Sequence, residues 1–517
     1  MRDRLTNNAV FEYLSRHQLQ RDTLVGFVAT VLRGAATVSS SYFVVRSLGV
    51  ELLGSWTFLL LLTSQGYLGL IDLGLHSPTT RQMAFASNTG HAQAIYALKN
   101  WYARRLLLHV SIAGPIVAAL FFLMTPEEVS SSLSIGLAIA SLIFLLLADT
   151  ALLPTFAQLE ATSRFLMLRS LEVAQRLLLL GFIVIFVTNH PSLTSMLVSH
   201  LLTSFVVLAV AMWLTRSKSK IVAAALMDPH DKSESITELI PRTTQMTTAL
   251  AARIATTAQW QIGRTLILIS VGITVAGELE IITRFVAVLT LLMSALTGAL
   301  LPRFVSAERS PDQLTSVLAV TTKWFLFVVL PLTVFLLMST EQILNLWFGN
   351  QYGIIAYPAQ LMLIAQFVIG LTAVFDLVLV SLNRNEFFAL SRWVAVVTTT
   401  LISIPLIAWF QLSGLLYGVL VASLVSMAAS LFLLQRACGV ITKLDLTAIL
   451  KPPLTVVGLL ICGSFLVAAI FEDIANSILL LVARGLVLGL SYMLAVLLIP
   501  SLRPTGFAHS GHRNHDK

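Results

Sequence analysis

Fourteen apolar stretches dominate the chain, at 24–48, 52–75, 106–124, 133–155, 171–188, 192–214, 244–275, 281–301, 320–338, 354–382, 393–410, 413–434, 454–470 and 477–499. Each is close to the roughly 20 residues that an α-helix needs to cross about 30 Å of hydrocarbon. A backbone in that medium must satisfy its own N–H and C=O groups, which leaves helices or a closed barrel. Runs this long and unbroken predict helices: an all-α polytopic membrane protein. With 57% hydrophobic and 11% charged residues, and a mean hydropathy of +0.87, the chain lies outside the range of soluble domains. The core of a large soluble protein would also read as apolar, but not as fourteen stretches joined by short polar loops.

Charge sets the expected orientation, because Lys and Arg gather on the cytoplasmic side. The seven outer loops contain no Lys or Arg, while they hold Glu51, Glu127, Glu128, Glu278, Glu280, Glu341, Glu472 and Asp473. Basic residues collect instead in the N-terminal arm, the even-numbered loops and the tail, so both termini are expected in the cytoplasm. The net charge of +8 then sits beside anionic lipid heads, and membrane lipids are the partner it implies. A nucleic-acid role would want a soluble basic domain, and the sequence has none. Polar residues 1–23, with Arg2, Arg4, Arg16 and Arg21, make the first span read as a retained anchor rather than a cleaved signal.

The segment from Thr215 to Arg242 divides the membrane domain. Expected boundaries are an N-terminal arm at 1–23, an N-lobe of helices 1–6 at 24–214 and a linker at 215–243. A C-lobe of helices 7–12 at 244–434, a terminal helix pair with its preceding loop at 435–499, and a tail at 500–517 complete the division. Two six-helix lobes plus a pair is a pattern that internal duplication gives transporters. The linker and the loop from His76 to Arg105 are too short for enzymatic domains and read as surface helices. Within that loop KNWYARR, Lys99–Arg105, joins interfacial Trp101 and Tyr102 to three basic groups, a composition suited to a helix entering the membrane.

Charges inside the spans carry the functional signal. A guanidinium in hydrocarbon is costly and normally faces protein or water, unless it lies near a boundary and snorkels. Arg46, Arg176 and Arg284 lie near span ends; Arg33 lies some ten residues into helix 1. Thr30, Arg33, Thr37 and Ser40 fall on one face of helix 1, and Arg253, Thr257, Gln261 and Arg264 on one face of helix 7. Such stripes serve either interhelical hydrogen bonds or a wet cavity. Asp72, Asp149 and Asp376 are the main buried-acid candidates, able to pair with arginines or to control gating. An excess of arginines over acids favours an anion, and a diphosphate suits several planar guanidinium forks.

Enzyme signatures are absent. There is no GKS or GKT phosphate loop, hence no built-in ATPase. Cys438 and Cys462 give neither a disulfide framework nor a thiolate metal site. His509, His512 and His515 sit in a polar tail with no second feature of a metal site. No cofactor is expected, and a coupling ion is not specified.

The segment VVRSLGVELLGSWTFLLLLTSQGYLGLIDLGLHSPTTRQMA at 44–84, LPRFVSAE at 301–308 and EQILNLWFGNQY at 341–352 resemble the bacterial polysaccharide and oligosaccharide flippases. These translocate O-antigen or exopolysaccharide repeat units. They belong to the superfamily that also holds lipid II flippases and multidrug/cation antiporters. The resemblance in helix order covers nearly the whole chain. It implies two lobes around a cavity and transfer of a polyprenyl-diphosphate-linked oligosaccharide across the bacterial cytoplasmic membrane. It further implies glycosyltransferases and a polysaccharide polymerase as partners. It makes Arg33 and Arg264 the leading diphosphate ligands, with Arg253 and Arg284 behind them. Asp72 and Arg81 take a structural part at the turn after helix 2, where Pro78 limits helix continuation, and Asp376 is a gating or structural acid. A multidrug/cation antiporter and a non-transporting scaffold for polysaccharide assembly are the alternatives.

Overall fold

The computed structural model describes residues 2–88, 92–124, 135–162, 164–225, 243–298, 310–382 and 384–439, with isolated positions elsewhere. Expected helices 13 and 14 and the histidine tail lie almost wholly outside the described residues. Among those residues there are twelve α-helices and no strand, and eight helices are long and apolar enough to cross a membrane. The protein is an all-α, polytopic membrane fold.

The helices are α1 (Arg2–Leu61), α2 (His76–Asn88), α3 (Ala92–Met124), α4 (Ile135–Ala161), α5 (Phe165–Phe182) and α6 (Leu193–Ala225), followed by α7 (Thr243–Ser270), α8 (Ile273–Gly298), α9 (Pro311–Met338), α10 (Thr340–Trp347), α11 (Ala356–Ser381) and α12 (Asn385–Cys438). They form two compact units, Met1–Glu280 and Ile281–Lys517.

In the first unit α1 packs along α5, α3 along α4, and α4 along α6. The path of α1 is broken at Gly49, whose φ of 73° lies in the left-handed region that glycine enters without steric cost. Beyond the break, residues 50–61 run against the start of α8 with almost no side chain between the backbones. A Cβ on Gly54 would lie 2.0 Å from the Ile273 carbonyl oxygen, and one on Gly277 would lie 2.0 Å from that of Val50. Close approach through small residues is the usual way membrane helices gain packing where lipid supplies no hydrophobic drive. α2, α3 and α4, with Leu75 just before α2, share a core that includes Met83, Leu98, Tyr102, Leu106 and Ala157.

The second expected span, 52–75, is only half helical. Its helix stops at Leu61, and the chain continues through turns and a 3₁₀ segment, Tyr67–Leu70, before α2 begins at His76. Leu73 and Gly74 both adopt positive φ, at 46° and 73°. The apolar composition of 62–75 made it read as helix; Thr63, Ser64 and Gln65 followed by Gly66 and Gly69 supply the interruption. Glu280, assigned to an outer loop, also differs. It is buried inside α8, because that helix starts at Ile273 rather than at 281.

In the second unit α11 lies along α12 and α9 packs on α11. Ser310 caps α9 by accepting from the Gln313 N–H, with Pro311 in the first turn, where its missing N–H is harmless. α12 is broken at Gln411 (φ 46°) into two arms and ends at Gly439 (φ 64°), a left-handed C-terminal glycine of the common kind.

Candidate substrate-binding face

The broken span and α7 meet at the candidate face. Residues 62–75 have lost the continuous helical ladder, and hydrocarbon offers no replacement. Short turn bonds, such as Gly66 N–H to the Thr63 carbonyl and Leu73 N–H to the Leu70 carbonyl, satisfy part of the backbone, and side chains of α7 and α3 add further contacts. Gln261 Nε2 donates to the Gln65 carbonyl at 2.9 Å, the Tyr67 and Thr265 hydroxyls meet at 2.9 Å, and Arg253 Nη2 donates to the Gly69 carbonyl at 3.4 Å. His109 Nδ1, on α3, lies 2.8 Å from the Ile71 carbonyl. Asp72 turns inward and accepts from the Gly74 N–H at 3.2 Å. It closes a turn that starts well after the helix has ended, so it does not itself stop the helix. Arg81 stands exposed on α2.

The four candidate arginines have different surroundings. Arg33 Nη1 bonds Glu172 Oε2 at 2.9 Å, and Arg169 reaches the same oxygen at 2.8 Å. Arg176 is within electrostatic reach of Arg33, Glu172 and Asp149. The hydroxyls of Thr30, Thr37 and Ser40 bond backbone carbonyls of their own helix. Arg264 Nη2 bonds Glu280 Oε2 at 3.0 Å and its Nη1 bonds Gln261 Oε1 at 3.2 Å, while its buried Nε has no partner. Arg284 is half-buried on α8, in the second unit.

Arg253 is set apart from Arg33 and Arg264. It is exposed, and its one hydrogen bond is the long contact to the Gly69 carbonyl, with no carboxylate in ion-pair range among the described residues. An exposed guanidinium ten residues into a helix makes this face cationic.

Asp149 is bonded by the Ser64 and Ser204 hydroxyls from two other segments. Asp376, the gating or structural candidate, is buried in the second unit and accepts from Arg392 Nη2 at 2.5 Å and from Ser430 at 2.8 Å. Ser430 continues to Ser391 at 2.6 Å, a polar seam between α11 and α12. Sequence reasoning missed Glu172, Glu280 and Arg392. Glu172 follows Arg169 by three residues, an ion-pair spacing on a helix that could have drawn notice.

No family model and no curated protein sequence matches the chain. Solved structures do. The lipid II flippase MurJ, in an inward closed conformation, superposes with a TM-score of 0.67 at 11% identity, over 93% of this chain and 99% of that one. The fold is that of the MOP-superfamily transporters. A multidrug-resistance MATE transporter of that superfamily, inward-facing, gives a TM-score of 0.61 at 14% identity over 82% of this chain and 99% of that one. A MOP-superfamily transporter from Pyrococcus furiosus, described as having a binding pocket of reversed polarity, gives 0.58 at 13% over 82% and 96%. At 11–14% identity, what these structures share with the chain is the fold.

Proposed function

We propose that the protein translocates a polyprenyl-diphosphate-linked oligosaccharide across the bacterial cytoplasmic membrane for cell-surface polysaccharide assembly, without hydrolysing it. The observation that carries the reading is Arg253, a guanidinium left exposed on α7, the helix of the expected seventh span, with no carboxylate in ion-pair range among the described residues. Charge in that position is expensive unless water or an anion meets it, and a diphosphate offers oxygens that match the guanidinium fork. Arg264, with one free donor at Nε, would join it from the same stripe. Arg33 would contribute through the field of its cluster, where Arg33, Arg169 and Arg176 outnumber Glu172 and Asp149. Arg284 stands as a further anion ligand of the second unit.

The lipid tail stays in the bilayer while the diphosphate and sugars occupy the polar face, and alternating exposure of that face turns the headgroup over. The broken segment 62–75 suits such a movement, because its backbone is held by short turns and a few side chains of α7 and α3 rather than by a continuous helical ladder. Upstream glycosyltransferases would supply the cargo and a polysaccharide polymerase would consume it. With both termini cytoplasmic, α7 enters from the cytoplasmic side and Arg253 lies nearer that surface.

A cation-coupled multidrug antiporter is the second reading. Asp149 favours it: a half-buried carboxylate held by two serine hydroxyls, with no cation in ion-pair range among the described residues, could bind and release a proton. One experiment separates the two. Protein in liposomes should expose an inner-leaflet glycan donor to an externally added glycan-modifying enzyme. Proton- or sodium-driven flux of organic cations by well-inserted protein, with no movement of the native donor, would transfer the assignment to the antiporter.

A further inference from the structure

The arginine stripe of α7 contains a residue of a different kind. Trp260 is 39% exposed, and no hydrogen bond or ring contact within the described residues engages its indole. At about 100° per residue it lies some 20° from Arg253 around the helix axis, on the opposite side from Arg264, which is also about 20° away. It therefore projects from the same face as the two guanidinium groups.

Two features argue against a lipid-facing tryptophan. The apolar exposed position on α7 is Ile269, 69% exposed, and it falls about 180° around the helix from Trp260. Lipid contact belongs on that side, since hydrocarbon cannot solvate the guanidinium groups beside the indole. Interfacial tryptophans also cluster at span ends, whereas Trp260 is ten residues from the end of α7 at Ser270. An exposed indole beside the exposed guanidinium of Arg253 fits a ligand that has both anionic and weakly apolar faces.

A glycan joined to a diphosphate is such a ligand. The C–H face of a pyranose ring is apolar and packs on an indole, while its hydroxyls remain available to water and polar groups. The rise from Arg253 to Trp260 is about 10 Å, so a diphosphate at Arg253 would put a sugar beyond the first one over the indole. We propose that Trp260 is a sugar-stacking platform that reads the glycan of a lipid whose diphosphate is held at Arg253. This rests on the reading of Arg253 as a diphosphate ligand and adds a residue that distinguishes glycosylated from bare lipid.

The test uses the full chain in nanodiscs and two probes: undecaprenyl diphosphate, and undecaprenyl diphosphate carrying two N-acetylglucosamine residues. Wild-type protein should bind the glycosylated lipid about 3- to 10-fold more tightly than the bare one, the range expected of one aromatic platform. Trp260→Ala should remove that increment and leave the bare lipid's affinity unchanged, and Trp260→Phe should restore most of it. Arg253→Gln should weaken both lipids. Equal wild-type affinity for the two lipids, or an unchanged increment in Trp260→Ala, overturns the platform and leaves the diphosphate reading standing. Wild-type protein that binds neither lipid overturns both. Should Trp260→Ala bind neither, Trp260→Phe and Trp260→Leu decide: an increment kept by Phe and lost by Leu supports stacking, and equal increments overturn it.

Discussion

Gln261 reaches from α7 to the backbone carbonyl of Gln65 at 2.9 Å, and that bond joins the helix carrying Arg253 to the segment where the second expected span loses its helix. An orphaned carbonyl in this setting would cost about 1–3 kcal/mol. Gln261→Leu should therefore lower the stability of the purified protein by about that amount, read as a lower midpoint in thermal unfolding. An unchanged midpoint would show that the Gln65 carbonyl finds another partner.

The Asp376–Arg392 pair should behave as structure. Removing one member, as in Asp376→Leu, leaves a buried charge and should cost about 3–5 kcal/mol. Asp376→Leu combined with Arg392→Met should recover much of the loss, because a well-packed apolar pair is often as stable as the ion pair it replaces. Denaturant unfolding of the single and double variants measures this. If the double variant is no better than the worse single one, the pair has a role beyond mutual neutralisation.

The packing of residues 50–61 on α8 gives a prediction of a different kind. Gly277→Ala would drive a Cβ to 2.0 Å from the Val50 carbonyl oxygen, so the backbones must separate and folded yield should fall sharply. Gly114→Ala, where nothing lies within 4 Å, should express normally. Quantified monodisperse protein from parallel membrane preparations checks the contrast.

How far the sequence could be read follows from the range of each signal. Spans such as Leu193–Leu214 and Asn350–Ser381 are legible because burial in hydrocarbon acts on every residue of a run, so the composition of about 20 residues is enough. The break after Leu61 is less visible: the leucines of 62–75, with Ile71, satisfy a hydropathy rule whether or not their backbone is helical. Ion pairs were the least accessible. Arg33 and Glu172 are separated by 139 positions, and no local pattern joins them. Arg264 was found as a charge on a helical stripe, but its neutralisation by Glu280 depended on where α8 begins. Trp260 carries no signal of its own in sequence, because an indole inside an apolar run looks like part of that run.

Arg33 and Glu172 should be energetically coupled. Arg33→Gln and Glu172→Gln are each expected to destabilise the first unit, and the double variant should lose less than the sum, with a coupling of about 0.5–3 kcal/mol. Thermal unfolding of the four proteins closes the cycle. Strict additivity would mean that the 2.9 Å contact carries no net energy and that Arg33 is available to a ligand.

The measurement closest to the central claim is flux of the native lipid-linked oligosaccharide through liposomes containing wild-type protein, Arg253→Gln or Arg253→Lys, with equal insertion verified for each. The account predicts that Arg253→Gln lowers the initial rate by about tenfold or more, the loss expected when a charge-assisted hydrogen bond to the cargo disappears. Arg253→Lys should recover only part of it, since an ammonium keeps the charge and loses the fork. Wild-type flux in the Arg253→Gln protein, with native unfolding behaviour, would contradict the assignment of Arg253 as the diphosphate ligand.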